Sequence, residues 1–300
     1  MKLENKILKI SMVGALFFAL FGIAWGWTAQ SEMIIFDGLY SFISLALTML
    51  SLYINNFIAK KELDKYPFGK YILEPLVISF KSLIIGGMCL YSLIGAIQDV
   101  VHGGNTVEYG SALRYSIVSV IGCGCLDLFM KKKGDTISSE LITVEASQWL
   151  MDNLLSIGVL VGFVIAMILR NTRFSGLNVY IDPMMVIMVS VVFIKMPVQS
   201  FINAFKEILC VKADDEINDD IYLIVKEIEK EYKFEDSISR VSKIGGELSI
   251  EIDFIYNEES KLKDLDQMDC VREKVYAAIK HIDYNKWLNV SFTGDKKWAI

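Results

Sequence analysis

Two carboxylates stand where carboxylates are expensive. Asp37 lies in residues 31–57, SEMIIFDGLYSFISLALTMLSLYINNF, which are apolar enough to cross a bilayer, and Asp152 lies far from either end of a second such stretch. Asp37, Ser41, Ser44, Thr48, Ser51 and Asn55 follow one another at steps of three or four. On a helix those steps form one polar stripe. Glu145, Gln148 and Asp152 are spaced i, i+3, i+7, with Ser156 continuing the line and Asn153 just beside it. An ionisable group in hydrocarbon usually faces a bundle interior or a water-filled pathway. The two stripes therefore read as two walls of an ion pathway built from oxygen ligands. The bland alternative puts Asp37 at the headgroup boundary and lets the hydroxyls bond their own backbone. Glu145, nearer the cytoplasmic end, is either simply hydrated or part of a proton relay.

Long apolar helices must position those walls. A spanning helix needs roughly 20 mainly apolar residues, and six stretches qualify: about 8–27, 33–58, 73–98, 112–130, 139–169 and 180–204. The expected division is a six-span membrane domain over 1–208 and a charged domain over 209–300. Lys2, Lys6 and Lys9, then Lys60, Lys61, Lys65 and Lys70, then Lys131, Lys132 and Lys133 fall on one side of the membrane, whereas the alternate loops carry Arg114, Arg170 and Arg173. Positive loops stay cytoplasmic, which places both termini inside a bacterial-type cell membrane. The first apolar run is too long for a cleavable signal and lacks a small-residue cleavage site.

Composition also excludes classes. The formal charge of −6 is carried mostly by the tail, which argues against a nucleic-acid partner and makes the tail as a whole a poor match for anionic lipid. The tail shows no Ser-His-Asp, Cys-His or Gly-rich phosphate loop with mechanistic spacing, so no enzyme activity and no bound cofactor are expected. Of the five cysteines, Cys123 and Cys125 flank one glycine. Residues two apart on a helix point some 200° apart, so they read as packing residues rather than a metal pair.

Other charged positions have local readings. Lys81, about two turns into the third span, either snorkels to the interface or pairs with a buried carboxylate. Glu74 favours the positive end of its own helix. Asp182-Pro183 reads as an N-cap followed by proline at the first helical position. Gly14, Gly22 and Gly26 mark the first span as one that packs closely on a neighbour. In the tail, 214–232 and 265–282 have helical periodicity. Residues 237–243 and 247–256 read as strands joined by Gly245-Gly246, and 287–292 as a last strand. The order α-β-β-α-β implies a small sheet covered on one face by two helices, and its apolar strand faces are candidates for a dimer contact.

Taken together, these features resemble the cation diffusion facilitators: the six spans, the Tyr66-Pro67-Phe68-Gly69…Glu74 segment, Asp182-Pro183 opening the sixth span, and the ferredoxin-like α-β-β-α-β cytoplasmic tail. The resemblance implies an antiporter that exports a divalent cation in exchange for protons, works as a homodimer in the lipid bilayer, and uses its tail for dimerisation and regulation. It implies a metal site of Asp37 and Ser41 from the second span with Gln148 and Asp152 from the fifth. Lys81 and Glu145 are electrostatic or proton-relay partners. The family's carboxylate is replaced at Ser41 and its His or Asp at Gln148. An all-oxygen set suits manganese, magnesium and similar hard ions better than zinc. The candidates are Mn, Mg, Fe, Co and Zn, with a non-zinc ion favoured. The same departures leave open a non-transporting family member that acts as a structural or heterodimer partner. His281, the tail's lone histidine, belongs to no evident regulatory ligand cluster.

Overall fold

The computed structural model describes residues 2–58, 60, 64–137, 140–170, 172–173, 175–262 and 264–299. Within its helices the side chains of 2–6, 8, 51–52, 55, 134–137, 140–145 and 147–148 are outside the described set. The chain divides into two compact units, Met1–Leu50 with Lys81–Gln199, and Ser51–Phe80 with Ser200–Ile300.

Seven helices precede the C-terminal domain among the described residues: α1 (Lys2–Ala29), α2 (Glu32–Ile58), α3 (Leu73–Val101), α4 (Tyr109–Ile137), α5 (Glu140–Arg170), α6 (Ile181–Phe193) and α7 (Lys195–Ile208). They supply six stretches long and apolar enough to cross a membrane, with α6 and α7 together making the sixth. The chain is an integral membrane protein. The single continuous span expected over 180–204 is divided at Ile194 because Pro197, in the first turn of α7, has no N–H to offer the carbonyl of Phe193. Large apolar side chains such as Phe17, Tyr91, Ile94, Leu154 and Met188 are exposed along these helices, as a hydrocarbon-facing surface requires.

Within the first unit, α4 packs along α5 most extensively, and α1 lies against both. Phe36, Tyr115, Phe163 and Val186 are among the buried residues that join the helices into one core. Glycine brings α1 and α2 to backbone contact: a Cβ on Gly38 would stand 2.5 Å from the amide nitrogen of Ile23, and one on Gly22 would stand 3.0 Å from the Cα of Gly38. The α1–α2 turn is closed by Gln30, whose φ is +53°, and by the Ser31 amide, which donates back to the Gly26 carbonyl at 3.1 Å. Ser31 then caps α2, its hydroxyl oxygen accepting from the Ile34 amide at 3.2 Å.

The C-terminal domain is α8 (Asp215–Tyr232), β1 (Asp236–Ile244), β2 (Glu247–Ile255), α9 (Leu265–Ala278) and β3 (Asn285–Thr293). The sheet order is β1-β2-β3. β1 pairs antiparallel with β2, Ile244 opposite Glu247, and β3 pairs parallel with β2, Ile250 opposite Leu288. A parallel neighbour needs a crossover, and α9 supplies it. Gly245 takes φ +58° at the first turn position, a conformation only glycine reaches cheaply. Leu248, Ile250, Ile252 and Phe254 of β2 are buried against Ile221, Val225 and Ile228 of α8 and Val271 and Val275 of α9. The alternating apolar face is therefore consumed by the domain's own helices and is not a dimer contact. The opposite face carries Glu247, Ser249, Glu251 and Asp253.

Candidate cation site

Asp37 sits in the second turn of α2 and is buried. Its Oδ2 accepts a hydrogen bond from the Tyr115 hydroxyl of α4 at 3.0 Å. One turn further along α4, the Ser119 hydroxyl lies 2.9 Å from the Ser156 hydroxyl of α5 and 3.9 Å from the Cys123 sulfur. Tyr115, Ser119 and Cys123 are spaced i, i+4, i+8, a third polar stripe that joins the α2 wall to the α5 wall. The charges of Asp37 and Asp152 both reach Cys123, and the charge of Asp152 also reaches Tyr40 of α2. The two carboxylates thus address the same stretch of α4.

Ser41, Ser44 and Thr48 lie half-buried along the same helix as Asp37, and Asp152 is half-buried one turn before the fully buried Ser156. Asn153 presents a buried Oδ1 with no hydrogen-bond donor among the described residues. Its amide group packs against Gly124 of α4, 3.4 Å from where a Cβ would stand. Leaving a buried acceptor unsatisfied costs about 1–3 kcal/mol, and a cation would satisfy it as well as an N–H. The side chains of Gln148 and Glu145 lie outside the described residues, although their backbone continues α5. Lys81 of α3 is half-buried. Among the described residues no carboxylate is within ion-pair distance of it.

Among the described residues, no three His, Cys, Asp or Glu side chains are close enough together to hold a metal. The donors near Asp37 and Ser156 are carboxylate, hydroxyl and amide oxygens, with the Cys123 sulfur 3.9 Å from the Ser119 hydroxyl. Cys123 is buried and Cys125 exposed, so the pair diverges as expected for a helix. His281 bonds Asp220 at 2.8 Å in the C-terminal domain.

Two carboxylates with simple sequence readings have long-range partners instead. Asp182 does not cap α6. Tyr180 occupies the cap position, and Asp182 lies inside the first turn. Its Oδ1 accepts from the Ser31 hydroxyl at 2.6 Å and its Oδ2 from the Glu32 amide at 2.9 Å, so it caps α2 across the fold. Glu74 reaches the β1–β2 turn, its Oε2 accepting from the Gly246 amide at 2.8 Å. Glu207 of α7 accepts from the neighbouring Gly245 amide at 2.9 Å and pairs with Lys243 at 3.4 Å.

An apolar six-span domain with paired polar walls, followed by an α/β domain, defines a membrane protein of the cation efflux class. The model of the cation efflux transmembrane domain matches residues 8–209, and the chain belongs to that family, the cation diffusion facilitators. It is 21% identical over 258 residues to the magnetosome protein MamB of Magnetospira sp. (strain QH-2), covering 86% of this chain and 85% of that protein. It is 27% identical over 173 residues to the manganese efflux system protein MneP of Bacillus subtilis (strain 168), covering 58% of this chain and 55% of that one.

Proposed function

We propose that this protein exports a hard divalent cation, manganese first among the candidates, in exchange for protons. The observation that carries the reading is the preponderance of oxygen donors: Asp37 held by Tyr115, Asp152 within electrostatic range of the same α4 segment, and the Oδ1 of Asn153, which has no hydrogen-bond donor among the described residues. Ser41 and Gln148 complete the set as neutral oxygens. Such ligands favour manganese or magnesium over zinc, and a manganese efflux protein is among the relatives. Asp37 and Asp152 are the groups whose protonation competes with the ion, Glu145 is a relay, and Lys81 is an electrostatic neighbour. The lysine-rich loops support cytoplasmic termini, and the family resemblance supports a homodimer.

The test is ion-driven proton flux in proteoliposomes, wild type against Asp152→Ala, across manganese, magnesium, iron, cobalt and zinc. Flux with manganese that Asp152→Ala abolishes is the expected result. Absence of flux with every ion, from protein that is folded and dimeric, would overturn the exchanger reading. It would favour a non-transporting partner, the second reading, which draws support from Ser41 and from the lack of a metal-spaced cluster among the described residues.

A further inference from the structure

The unit formed by Ser51–Phe80 and Ser200–Ile300 contains a cavity of about 470 Å³ that the transport reading does not use. Its lining inverts the charge of the domain around it. Among the described residues, Lys60, Lys70 and Lys286 line it with one carboxylate, Glu247. Burial pushes the Glu247 carboxyl up from its ordinary value.

Lys70 and Lys286 donate to backbone carbonyls. Lys70 is buried at 4% exposure. Its ammonium donates to the carbonyls of Phe57 at 3.3 Å and Lys60 at 3.1 Å, and it lies 4.0 Å from the centre of the Phe57 ring and 4.7 Å from that of Tyr66. It thereby closes the C-terminal end of α2, where cations are favoured. Lys286 donates to the carbonyls of Ile282 at 2.6 Å and Tyr284 at 3.2 Å. An ammonium has a third N–H, and among the described residues neither Lys286 nor Lys60 has a carboxylate within ion-pair distance. Lys60 is exposed and Lys286 half-buried; half-buried positive charge without a counter-charge is costly, and a bound anion removes that cost at Lys286.

The rest of the wall is aromatic, with Tyr66, Tyr284 and Trp287 prominent. The Trp287 and Phe68 rings are 6.3 Å apart, and Phe68 is 82% exposed. One rim is Ile58, the last residue of the membrane-crossing helix α2. Lysine with tryptophan and tyrosine is the side-chain set of a headgroup layer, and basic pockets at that level suit phosphate headgroups.

We propose that this cavity binds a phosphate-bearing anion, presented by an anionic phospholipid or by a soluble nucleotide, with Lys286 and Lys60 as its direct charge contacts. The proposal stands apart from the identity of the transported ion. Delipidated full-length protein in neutral detergent would be titrated with phosphatidylglycerol, phosphatidylcholine and ATP, with binding read by native mass spectrometry. Wild type is expected to retain phosphatidylglycerol or ATP over phosphatidylcholine. Lys60→Gln is expected to weaken that binding several-fold, Lys60→Gln with Lys286→Gln at least tenfold, and Lys286→Arg little. Preference for phosphatidylglycerol assigns the lipid source, and preference for ATP the soluble one. Lys60→Gln removes no side-chain hydrogen bond or ion pair among the described residues, so it remains informative if the Lys286 variant misfolds. Equal retention of all three ligands, no binding of either anion at millimolar concentration, or binding unchanged in Lys60→Gln would each overturn the proposal.

Discussion

Replacing Asp182 separates a local cap from a tertiary one by magnitude. A cap acting only on its own helix is worth about 1 kcal/mol. In the structure Asp182 is fully buried and receives two hydrogen bonds from the start of α2, at 2.6 Å from Ser31 and 2.9 Å from the Glu32 amide. Hydrogen bonds to a charged group contribute about 1.5–3 kcal/mol each. Asp182→Ala leaves the Ser31 hydroxyl proton and the Glu32 N–H without their acceptor, so the expected loss is about 3–5 kcal/mol. Asp182→Asn keeps one acceptor oxygen and turns an NH₂ toward the other donor, so an intermediate loss of about 2–3 kcal/mol is expected. Ser31→Ala removes the same bond from the other side, and the Ile34 cap with it. The assay is reversible unfolding in SDS micelles for the two single variants and the double variant. A coupling energy of at least about 1 kcal/mol between positions 31 and 182 is expected, since residues sharing a hydrogen bond are not additive. Additivity within about 0.5 kcal/mol, with Asp182→Ala costing no more than a surface cap, would refute the cross-fold capping argument.

Four further outcomes follow from the contacts described. Tyr115→Phe removes the hydrogen bond that orients Asp37 and should raise the half-saturating ion concentration in flux assays about tenfold, the usual scale for losing a ligand's supporting bond; an unchanged value would leave Tyr115 a packing residue. Gly38→Ala puts a Cβ 2.5 Å from the Ile23 nitrogen and should destabilise the protein by about 1–3 kcal/mol. Gly87→Ala, with nothing within 4 Å of its added Cβ, should be neutral or stabilising in the same thermal melts. In the C-terminal domain, Lys296 at 2.8 Å, the Ser237 amide and then Lys226 pull the Asp236 carboxyl down from 3.8 to about 2. A depressed carboxyl contributes stability that is present above its unfolded pKa and lost as pH falls through its folded one. Asp236→Asn should therefore cost about 1 kcal/mol after allowance for solvent screening at pH 5–8. The difference from wild type should fade as pH falls below 4 toward 2 in pH-dependent melts; a difference that persisted at the lowest pH would contradict the assignment.

What was legible in the sequence was whatever one element decides by itself. The apolar lengths announced six spans, and the strict alternation from Leu248 to Phe254 with Gly245-Gly246 before it announced the hairpin. The two polar stripes were visible because carboxylates and amides stand out in hydrocarbon. The α4 stripe was not singled out, although its i, i+4, i+8 spacing was present. Tyr115, Ser119 and Cys123 are residue types that also pack in apolar helices, and only the bond to Asp37 distinguishes them. Asp182 was misread for a different reason. Asp-Pro satisfies a local rule, and its actual donors lie about 150 residues away. Glu74 likewise has a helix start beside it in sequence and the Gly246 amide in space. The break at Ile194 was implicit in Pro197, which sits in the first turn of the next helix segment, where proline is tolerated.

The glycine contact between α1 and α2 also bears on leakage. With a Cβ position at Gly38 already 2.5 Å from the Ile23 nitrogen and 3.0 Å from the Ala19 carbonyl oxygen, no water molecule fits between these two backbones beside Asp37. That flank is a dry seal. A hydrated route to the Asp37 carboxylate must avoid that flank, and the carboxylate's hydrogen bond to Tyr115 turns it toward α4. On the proposed function, the proton barrier and the ion's approach would then be controlled by one set of side chains.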